Sequence, residues 1–303
     1  MARHSLSRDV MRRLSIKHGG FRDHMTEASV IAAALLFLTV LVWLVGSGFK
    51  AADRIDIDDV SELKAPYDSV RLLRGMSERF GLGFEELLAV YLVENRFFPE
   101  RASPQDEEAL ERRYLIDYGE TVRGYGDRLA PYIELLGRAM ADIKEFPLQA
   151  SQTESADYVY GDGFSLDEGH MGIDIYGRNN MPGSLALVSV CEGYVERTGN
   201  NRTDGLYVVV GTDAGSSVFY RHLDTLAEGI AEGARVAAGQ ELGRMGDSGT
   251  ECAAGGMTVR LHIGYMLRTE NWGELWLNPY IFLRLAEELR YDGDYYRHRR
   301  FSG

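Results

Sequence analysis

The chain has 303 residues, of which 45% are hydrophobic and 26% charged, and its formal net charge is −13 at pH 7. These fractions are typical of folded globular proteins, so disorder throughout the chain is excluded, and the length suffices for one or two domains with a buried core. The acidic excess argues against nucleic acid as a partner, because surfaces that bind nucleic acid are basic.

Residues 28–49 form the first predicted element, a run of 22 residues that contains no charge. At about 1.5 Å of rise per residue, a helix of this length spans the hydrocarbon core of a membrane, which is about 30 Å thick. A secretory signal peptide is the alternative interpretation, but its apolar stretch is shorter and an A-x-A-like cleavage site follows it. No such site follows here, where the chain continues Lys50, Ala51, Ala52, Asp53. We therefore predict an uncleaved transmembrane helix.

The basic residues around this span predict its orientation. Lys50 and Arg54 closely follow the span, whereas those that precede it are Arg3, Arg8, Arg12, Arg13, Lys17 and Arg22. Positive charge accumulates on the cytoplasmic side of a membrane. We therefore expect a single-pass protein of the cell membrane, with residues 1–27 in the cytoplasm and the acidic remainder outside.

The next predicted part, residues 50–149, is an extracytoplasmic helical region. Apolar residues recur there at steps of three and four, which is the period of an amphipathic helix; they are Val70, Leu73, Met76, Phe80, Leu87, Leu88, Tyr91, Leu92 and Phe97. Pro131 suits the first turn of a further helix. The apolar faces require burial against the rest of the chain or against a partner, and we assign no chemistry to this region.

A change of pattern follows the polar residues 150–157, which we interpret as a linker. Short runs of alternating apolar residues, separated by Gly, Asn and Asp, predict an antiparallel β-sheet domain over residues 158–289. A closing helix is expected at its end, over residues 279–289, and residues 290–303 are interpreted as a surface tail. The fold class is therefore α+β, with a transmembrane helix, a juxtamembrane helical region and a C-terminal antiparallel sheet.

Two cysteines, Cys191 and Cys252, lie in the predicted exterior part. An oxidising exterior permits a disulfide between them, and two separate buried thiols are equally compatible with the sequence. The chain has no C-x-x-C spacing, so a cysteine-ligated zinc site is not expected.

The segment GHMGIDIYG contains two residues that can bind metal, His170 and Asp174, with Gly172 between them. If the side chains of Ile173 and Ile175 point into the core, Asp174 must point to the opposite face of its strand, because strand side chains alternate.

A second histidine segment, TVRLHIGY, places His262 and Arg260 together on the face opposite to the apolar residues of that strand. The same alternation places His222, in VFYRHL, on the face of Val218 and Tyr220.

His170, Asp174 and His262 together offer two imidazoles and one carboxylate. These ligands suit tetrahedral zinc, and three protein ligands leave a fourth position for water, as in catalytic zinc sites. A histidine in a strand is more commonly a hydrogen-bonded core or surface residue, so the histidines alone do not decide between the two interpretations.

The order of several segments favours the metal site. In chain order they are HMGIDI, CEGYVERTG, GLYVVVGT, YRHL, GARVAAGQELGRMGDSG and RLHIGY. Over residues 158–285 they resemble the lysostaphin/LytM-type zinc metalloendopeptidases, which act on the cross-link peptides of bacterial peptidoglycan. The resemblance implies a peptidase-like β domain, zinc as cofactor and a peptidoglycan peptide as substrate.

The resemblance also implies a role for each candidate residue. His170, Asp174 and His262 match the family's zinc ligands, and His222 matches an active-site histidine that assists the attacking water without binding metal. Arg260 stands where the family has the first histidine of an H-x-H motif. Arginine keeps its proton at physiological pH and cannot act as a general base.

Two hypotheses follow from this departure. Under the first, the chain is a membrane-anchored zinc metalloendopeptidase in which zinc activates water, His222 assists, and Arg260 stabilises the oxyanion or holds a substrate carboxylate. Under the second, it is a catalytically degenerate envelope scaffold or regulator that keeps the groove, binds an envelope protein partner and does not cleave. The family resemblance includes such proteins, among them regulators of other wall hydrolases and parts of sporulation channels.

Overall fold

The structure, a computed structural model, describes residues 55–95, 124–161, 163–249 and 258–300, together with Thr39, Phe97 and Val122. Within these residues, no helix combines the length and the apolar composition that crossing a membrane requires. The predicted transmembrane segment 28–49 lies outside the described residues except for Thr39, and it stays a prediction. Cys252 also lies outside them, whereas Cys191 is fully buried; a disulfide between the two cysteines and two separate thiols both stay sequence-based alternatives.

Five α-helices are described: α1 (Ile57–Glu62), α2 (Tyr67–Phe80), α3 (Phe84–Glu94), α4 (Ala130–Asp142) and α5 (Tyr280–Arg300). Short 3-10 helices occur at Gly126–Arg128 and Ala150–Gln152. The predicted apolar period is found in α2, where Val70, Leu73 and Met76 are buried. Phe80 departs from it, being 40% exposed with the Arg79 guanidinium 4.9 Å from its ring centroid.

Helix α4 packs against the β-sheet domain, and the described residues from 55 onward belong to one compact unit. Arg138 of α4 donates from both terminal nitrogens to the backbone carbonyls of Arg268 and Ala214, at 2.7 and 2.9 Å. Asp142, at the end of the same helix, accepts a buried hydrogen bond from the Tyr265 hydroxyl at 2.7 Å. Apolar residues of α2, α3 and α4 are buried at 1% exposure or less, among them Leu73, Leu88 and Leu136.

Among the described residues, ten strands form the sheet: β1 (Tyr158–Tyr160), β2 (Ile173–Gly177), β3 (Ala186–Val188), β4 (Gly193–Asn201), β5 (Gly205–Gly211), β6 (Ser216–Leu226), β7 (Arg235–Val236), β8 (Glu241–Met245), β9 (Arg260–Thr269) and β10 (Gly273–Trp276). Their order is β1-β2-β9-β6-β5-β4-β7, with β10 on β9, and β8 pairing with both β3 and β6. Every pairing is antiparallel. The predicted α+β class with an antiparallel sheet is confirmed.

Strands β2, β9 and β6 lie side by side in the middle of this sheet, and their alternation separates two faces. The residues that point into the core are at most 2% exposed; they are Ile173, Ile175, Leu261, Ile263 and Tyr220. On the opposite face, Asp174 is the direct cross-strand partner of His262, and His262 is the direct partner of Arg221. A row of polar side chains therefore crosses three strands.

Helix α5 continues beyond Leu289 to Arg300, so the prediction that the closing helix ends near Leu289 was wrong. One reason lies in Arg290, which donates to the backbone carbonyls of Leu148, Ala150 and Thr153. These contacts come from a segment distant in sequence, and the local pattern of charged and aromatic residues carries no sign of them.

Candidate metal site

The structure brings the nitrogen and oxygen atoms of His170, Asp174 and His262 together at the polar row of the sheet. His262 Nδ1 lies 3.1 Å from His170 Nε2 and 3.0 Å from Asp174 Oδ1, and His170 Nε2 lies 3.3 Å from the same oxygen. Three atoms that can bind a cation thus form a nearly equilateral triangle.

This triangle fits a tetrahedral metal ion. Ligands that lie about 2.0–2.1 Å from a zinc ion in tetrahedral geometry are roughly 3.3 Å from one another. The observed separations of 3.0 to 3.3 Å are close to that spacing. Two imidazole lone pairs that face each other at this range repel unless a cation or a proton lies between them, so the arrangement favours a bound cation.

A tight turn fixes the orientation of His170. Gly169 precedes it with φ +70°, and His170 forms an antiparallel bridge with Ser165. The ring nitrogen Nδ1 lies 2.6 Å from the backbone oxygen of Gly163. Because a carbonyl oxygen only accepts, Nδ1 must carry the proton. The lone pair therefore resides on Nε2, the nitrogen that faces Asp174 and His262.

Gly172 makes room for the imidazole of His262. A Cβ at Gly172 would lie 2.7 Å from His262 Nε2 and 2.5 Å from the Ile263 carbonyl oxygen. No side chain fits at such distances. The absence of a side chain at Gly172 thus allows the His262 ring, which is 2% exposed, to turn its Nδ1 toward Asp174.

The protonation states of the site suit metal binding. Burial alone would raise the pKa of Asp174, but its close polar contacts with the His170 and His262 rings and the positive charge of Arg260 lower this pKa well below its usual range. Burial lowers the pKa of His262, against the opposing effect of Asp174. At neutral pH Asp174 is therefore ionised and His262 is neutral, as metal ligands must be.

Arg260 contacts a carboxylate of this site. Its Nε lies 3.0 Å from Asp174 Oδ2, while both imidazoles meet the other oxygen, Oδ1. Its Nη1 donates to the Tyr176 hydroxyl at 3.4 Å, and its Cζ lies 5.8 Å from the centroid of that ring. The Arg260 side chain is only 11% exposed. The guanidinium is thus directed at the outer oxygen of Asp174.

His222 reaches the site through a β-bulge. Alternation along β6 predicts it on the face of Val218 and Tyr220, and this prediction was wrong. The pairing of β5 with β6 shifts register between Tyr220 and Leu223, and His222 has φ +66°. A bulge of this kind turns a side chain to the other face. The His222 and His262 ring centroids consequently lie 6.2 Å apart.

Backbone oxygens from two loops hold His222 in this conformation. The backbone N–H of His222 donates to the Asp204 carbonyl at 3.0 Å, and the ring nitrogen Nδ1 lies 2.9 Å from the Ser248 carbonyl oxygen. Nδ1 therefore carries the proton in the neutral ring, and Nε2 carries the lone pair. Burial lowers the pKa of His222 to about 4, although the hydrogen bond to Ser248 opposes this shift. The ring is neutral at pH 7.

Sequence reasoning missed the residues that support the site, among them Ser248. Its hydroxyl donates to the Leu223 carbonyl at 2.7 Å and accepts from the Leu206 N–H at 2.9 Å. Ser248 thereby ties the loop after β8 to the bulge in β6 and to the start of β5. The segment GDSG indicates a turn, but it contains no signal for which strands the turn contacts.

The fold and the site together define an antiparallel β-sheet domain that presents a His-Asp-His candidate metal site on its polar face. Residues 168–272 match the sequence model of peptidase family M23. This match confirms the predicted resemblance of this part of the chain to lysostaphin/LytM-type proteins.

Among the proteins to which the chain is similar are one of known sequence and one of known structure. The L-Ala–D-Glu endopeptidase of Bacillus subtilis (strain 168) is 32% identical over 150 residues, which cover 48% of this chain. The chain spans 44% of the length of that relative. The crystal structure of a lytM protein from Ruminococcus gnavus ATCC 29149, named for glycyl-glycine endopeptidase activity, is 28% identical with a TM-score of 0.55. That match covers 80% of this chain and 96% of the other, so the likeness extends beyond the β-sheet domain.

Proposed function

We propose that the chain is a membrane-anchored zinc metalloendopeptidase that cuts peptides of peptidoglycan. The observation that carries this proposal is the triangle of His170 Nε2, His262 Nδ1 and Asp174 Oδ1, whose sides match the spacing of ligands around one tetrahedral zinc ion. The match of residues 168–272 to the M23 family model and the L-Ala–D-Glu endopeptidase activity for which the Bacillus relative is named support the substrate class.

Each side chain of the site has a distinct task in this proposal. His170, Asp174 and His262 would hold zinc, which would supply Lewis-acid polarisation of a peptide carbonyl and of water. His222, neutral with its lone pair on Nε2, accepts a proton from water and returns it to the leaving amine. Arg260 orients Asp174 by holding its Oδ2, which leaves Oδ1 for the metal.

This assignment differs from the charge-stabilising role that the sequence suggested for Arg260. The Arg260 side chain is 11% exposed, and its guanidinium contacts the Tyr176 hydroxyl and Asp174, which is one of the candidate metal ligands. Its positive charge repels a bound metal ion less than that of an unpaired arginine would, because the guanidinium is paired with the Asp174 carboxylate. A site with a single acid–base histidine loses about 10²- to 10⁴-fold in rate if the missing group is not replaced.

A test of this function uses the full chain purified in detergent and incubated with isolated peptidoglycan. We expect about one zinc per chain by metal analysis, and new free amino groups in the peptidoglycan that a chelator suppresses. The His170→Ala variant should lose both the bound zinc and the release of amino groups. Zinc bound in the absence of any new amine would contradict the peptidase proposal.

A second candidate, a non-cleaving envelope scaffold, is favoured by one observation. The position that carries a second imidazole in the family pattern is occupied by Arg260, a permanent cation that is paired with a metal ligand. In that case the protein would retain zinc and bind peptidoglycan or an envelope protein without releasing amines. The same assay separates the two functions, because binding and cleavage are measured on one sample.

The anchored location is part of the proposal and rests on the uncharged segment 28–49 and the basic residues before it. We expect the protein to resist alkaline extraction from bacterial membranes. Protease added to spheroplasts should digest the C-terminal domain, and residues 1–27 should be protected. A C-terminal domain that is protected until the membrane is lysed would contradict this orientation.

A further inference from the structure

Two consecutive residues of β6, Arg221 and His222, both face the metal site. Neighbouring residues of a regular strand point to opposite faces, so this arrangement depends on the bulge. Arg221 is the direct cross-strand partner of His262, and the ring of His222 lies 6.2 Å from that of His262. The left-handed φ of His222 is conformationally unfavourable for a residue with a side chain, and such strain often marks functional sites.

Arg221 is placed to meet a ligand beside the metal. Side chains of direct antiparallel partners have Cβ atoms about 4.5–5.5 Å apart, so the stem of Arg221 begins next to the His262 ligand. The side chain is 25% exposed, more than twice the value for Arg260. Its Cζ lies 5.8 Å from the ring centroid of Phe219, which in turn packs at 4.7 Å from Trp276.

Asp204 orients the guanidinium of Arg221 through one nitrogen. Its Oδ1 lies 3.1 Å from Nη1 of Arg221. Asp204 is itself held by the Asn201 side chain at 2.8 Å, and its carbonyl accepts the N–H of His222. The guanidinium carries five N–H groups in a planar fork, so this contact leaves donors for a second carboxylate.

We propose that Arg221 binds a free carboxylate of the peptide substrate, next to the bond that the metal site addresses. This inference rests on the proposed function, because it assigns the substrate class of the same site. Arg260 is directed at Asp174, so Arg221 supplies the more accessible positive charge at the polar row. An internal glutamate carries one free carboxylate whichever of its two carboxyl groups forms the peptide bond, and it therefore meets this requirement.

The experiment compares two peptides that differ in one group. The first is N-acetyl-L-alanyl-γ-D-glutamyl-L-lysine with its glutamate carboxylate free, and the second carries a carboxamide at that position. Binding and cleavage of both are measured with the zinc-loaded full chain in detergent. We expect the free acid to bind about tenfold more tightly than the amide, since hydrogen bonds between charged groups are worth roughly 1.5–3 kcal/mol and 1.4 kcal/mol corresponds to a factor of ten.

Variants identify the residue responsible. Arg221→Gln should abolish the preference, so that the free acid and the amide bind about equally. Arg221→Lys, which keeps the charge, should retain part of the preference. The matched control is Arg235→Gln, because Arg235 also pairs with an aspartate, Asp213, but at the turn between β5 and β6. It should leave the preference unchanged.

The outcomes separate this inference from the proposed function. Equal binding of the two peptides by the unmodified protein, or a preference that persists in Arg221→Gln, overturns the inference even if both peptides are cut. A preference that depends on Arg221, with no cleavage of either peptide, supports the inference and removes the peptidase proposal. Failure of the protein to bind either peptide overturns the inference as well.

Discussion

Arg260 and Asp174 form an ion pair in which the arginine Nε lies 3.0 Å from Oδ2, while Oδ1 of the same carboxylate meets both imidazoles of the candidate metal site. The two oxygens of one side chain thus have separate partners. A carboxylate held in this way presents a single oxygen in a fixed direction, and outer-shell contacts of this type tune the affinity of metal sites.

Replacing Arg260 should therefore weaken metal binding. We expect Arg260→Gln to raise the zinc dissociation constant about 10- to 100-fold, the usual effect of losing an outer-shell partner. Competition with a chromophoric chelator measures this constant. Arg244→Gln is the control, because Arg244 pairs with Glu241 at 3.2 Å and belongs to β8. Unchanged zinc affinity in Arg260→Gln would show that the ion pair does not position Asp174.

The depressed pKa of His222 predicts a loss of stability on mild acidification. Its pKa is about 4 in the folded protein and 6.5 as the ordinary value. Between these values only the unfolded chain binds the proton, so the free energy of unfolding falls as pH decreases from about 6.5 to about 4 and this contribution is constant below. A difference of that size corresponds to about 3 kcal/mol at 1.36 kcal/mol per pKa unit.

Urea unfolding of the chelator-treated protein at pH 7.0 and at pH 4.5 measures this loss. His222→Asn keeps an N–H group at the position of Nδ1 for the Ser248 carbonyl but does not titrate. We expect this variant to lose about 2.4 kcal/mol less than the unmodified protein between the two pH values, because pH 4.5 lies above the folded pKa and the full difference is not yet reached. An equal loss in both proteins would assign the acid sensitivity to other groups, of which His262 is the next candidate.

The sequence pattern was sufficient to place Asp174 and His262 on one face. Alternation predicts their orientation because Ile173 and Ile175 are apolar and must be buried, and the cross-strand pairing of Asp174 with His262 agrees with that prediction. The period of two holds as long as a strand is regular, so the local sequence contains the information.

The same reasoning failed at His222 because the bulge depends on contacts from distant segments. The carbonyls of Asp204 and Ser248 hold the residue at φ +66°, and neither lies in β6. The orientation of the Arg260 guanidinium could not be predicted from the sequence either. It depends on which oxygen of Asp174 is not in contact with the two imidazoles. Local periodicity cannot predict such three-body arrangements.

The contact between Gly205 and Ser248 should be essential for the bulge. Gly205 has φ +64°, and a Cβ there would lie 2.3 Å from the backbone carbon of Ser248. Gly205→Ala must therefore displace the loop that holds His222, and we expect it to destabilise the protein by about 2–4 kcal/mol, from left-handed strain plus overpacking. Gly215→Ala is the matched control, because Gly215 has φ +85° with no atom within 4 Å of its Cβ position.

Denaturant unfolding of both glycine variants separates the two effects. Gly215→Ala should cost about 1–2 kcal/mol from backbone strain alone. The difference between the variants then reports the clash with Ser248. Equal destabilisation would mean that the loop after β8 moves aside without cost and does not constrain His222.

Gly172 and Gly163 provide the sharpest test of the site geometry. Each contacts a histidine that is a candidate metal ligand, but only Gly172 lacks room for a Cβ atom. A Cβ at Gly172 would lie 2.7 Å from His262 Nε2, whereas at Gly163 nothing lies within 4 Å of the Cβ position. Gly172→Ala must rotate the imidazole of His262 and so move its Nδ1 away from Asp174. We expect zinc affinity to fall at least tenfold, as for other disturbances of ligand orientation.

Gly163→Ala should leave zinc affinity unchanged, because the Gly163 carbonyl that accepts from His170 is part of the backbone. Cobalt substitution gives a second readout, since the visible absorption of bound Co²⁺ reports the number and geometry of its ligands. Gly172→Ala should alter that spectrum and Gly163→Ala should not. If Gly172→Ala binds zinc as tightly as the unmodified protein with the same cobalt spectrum, His262 is not a ligand through Nδ1, and the triangle of donors does not describe the metal site.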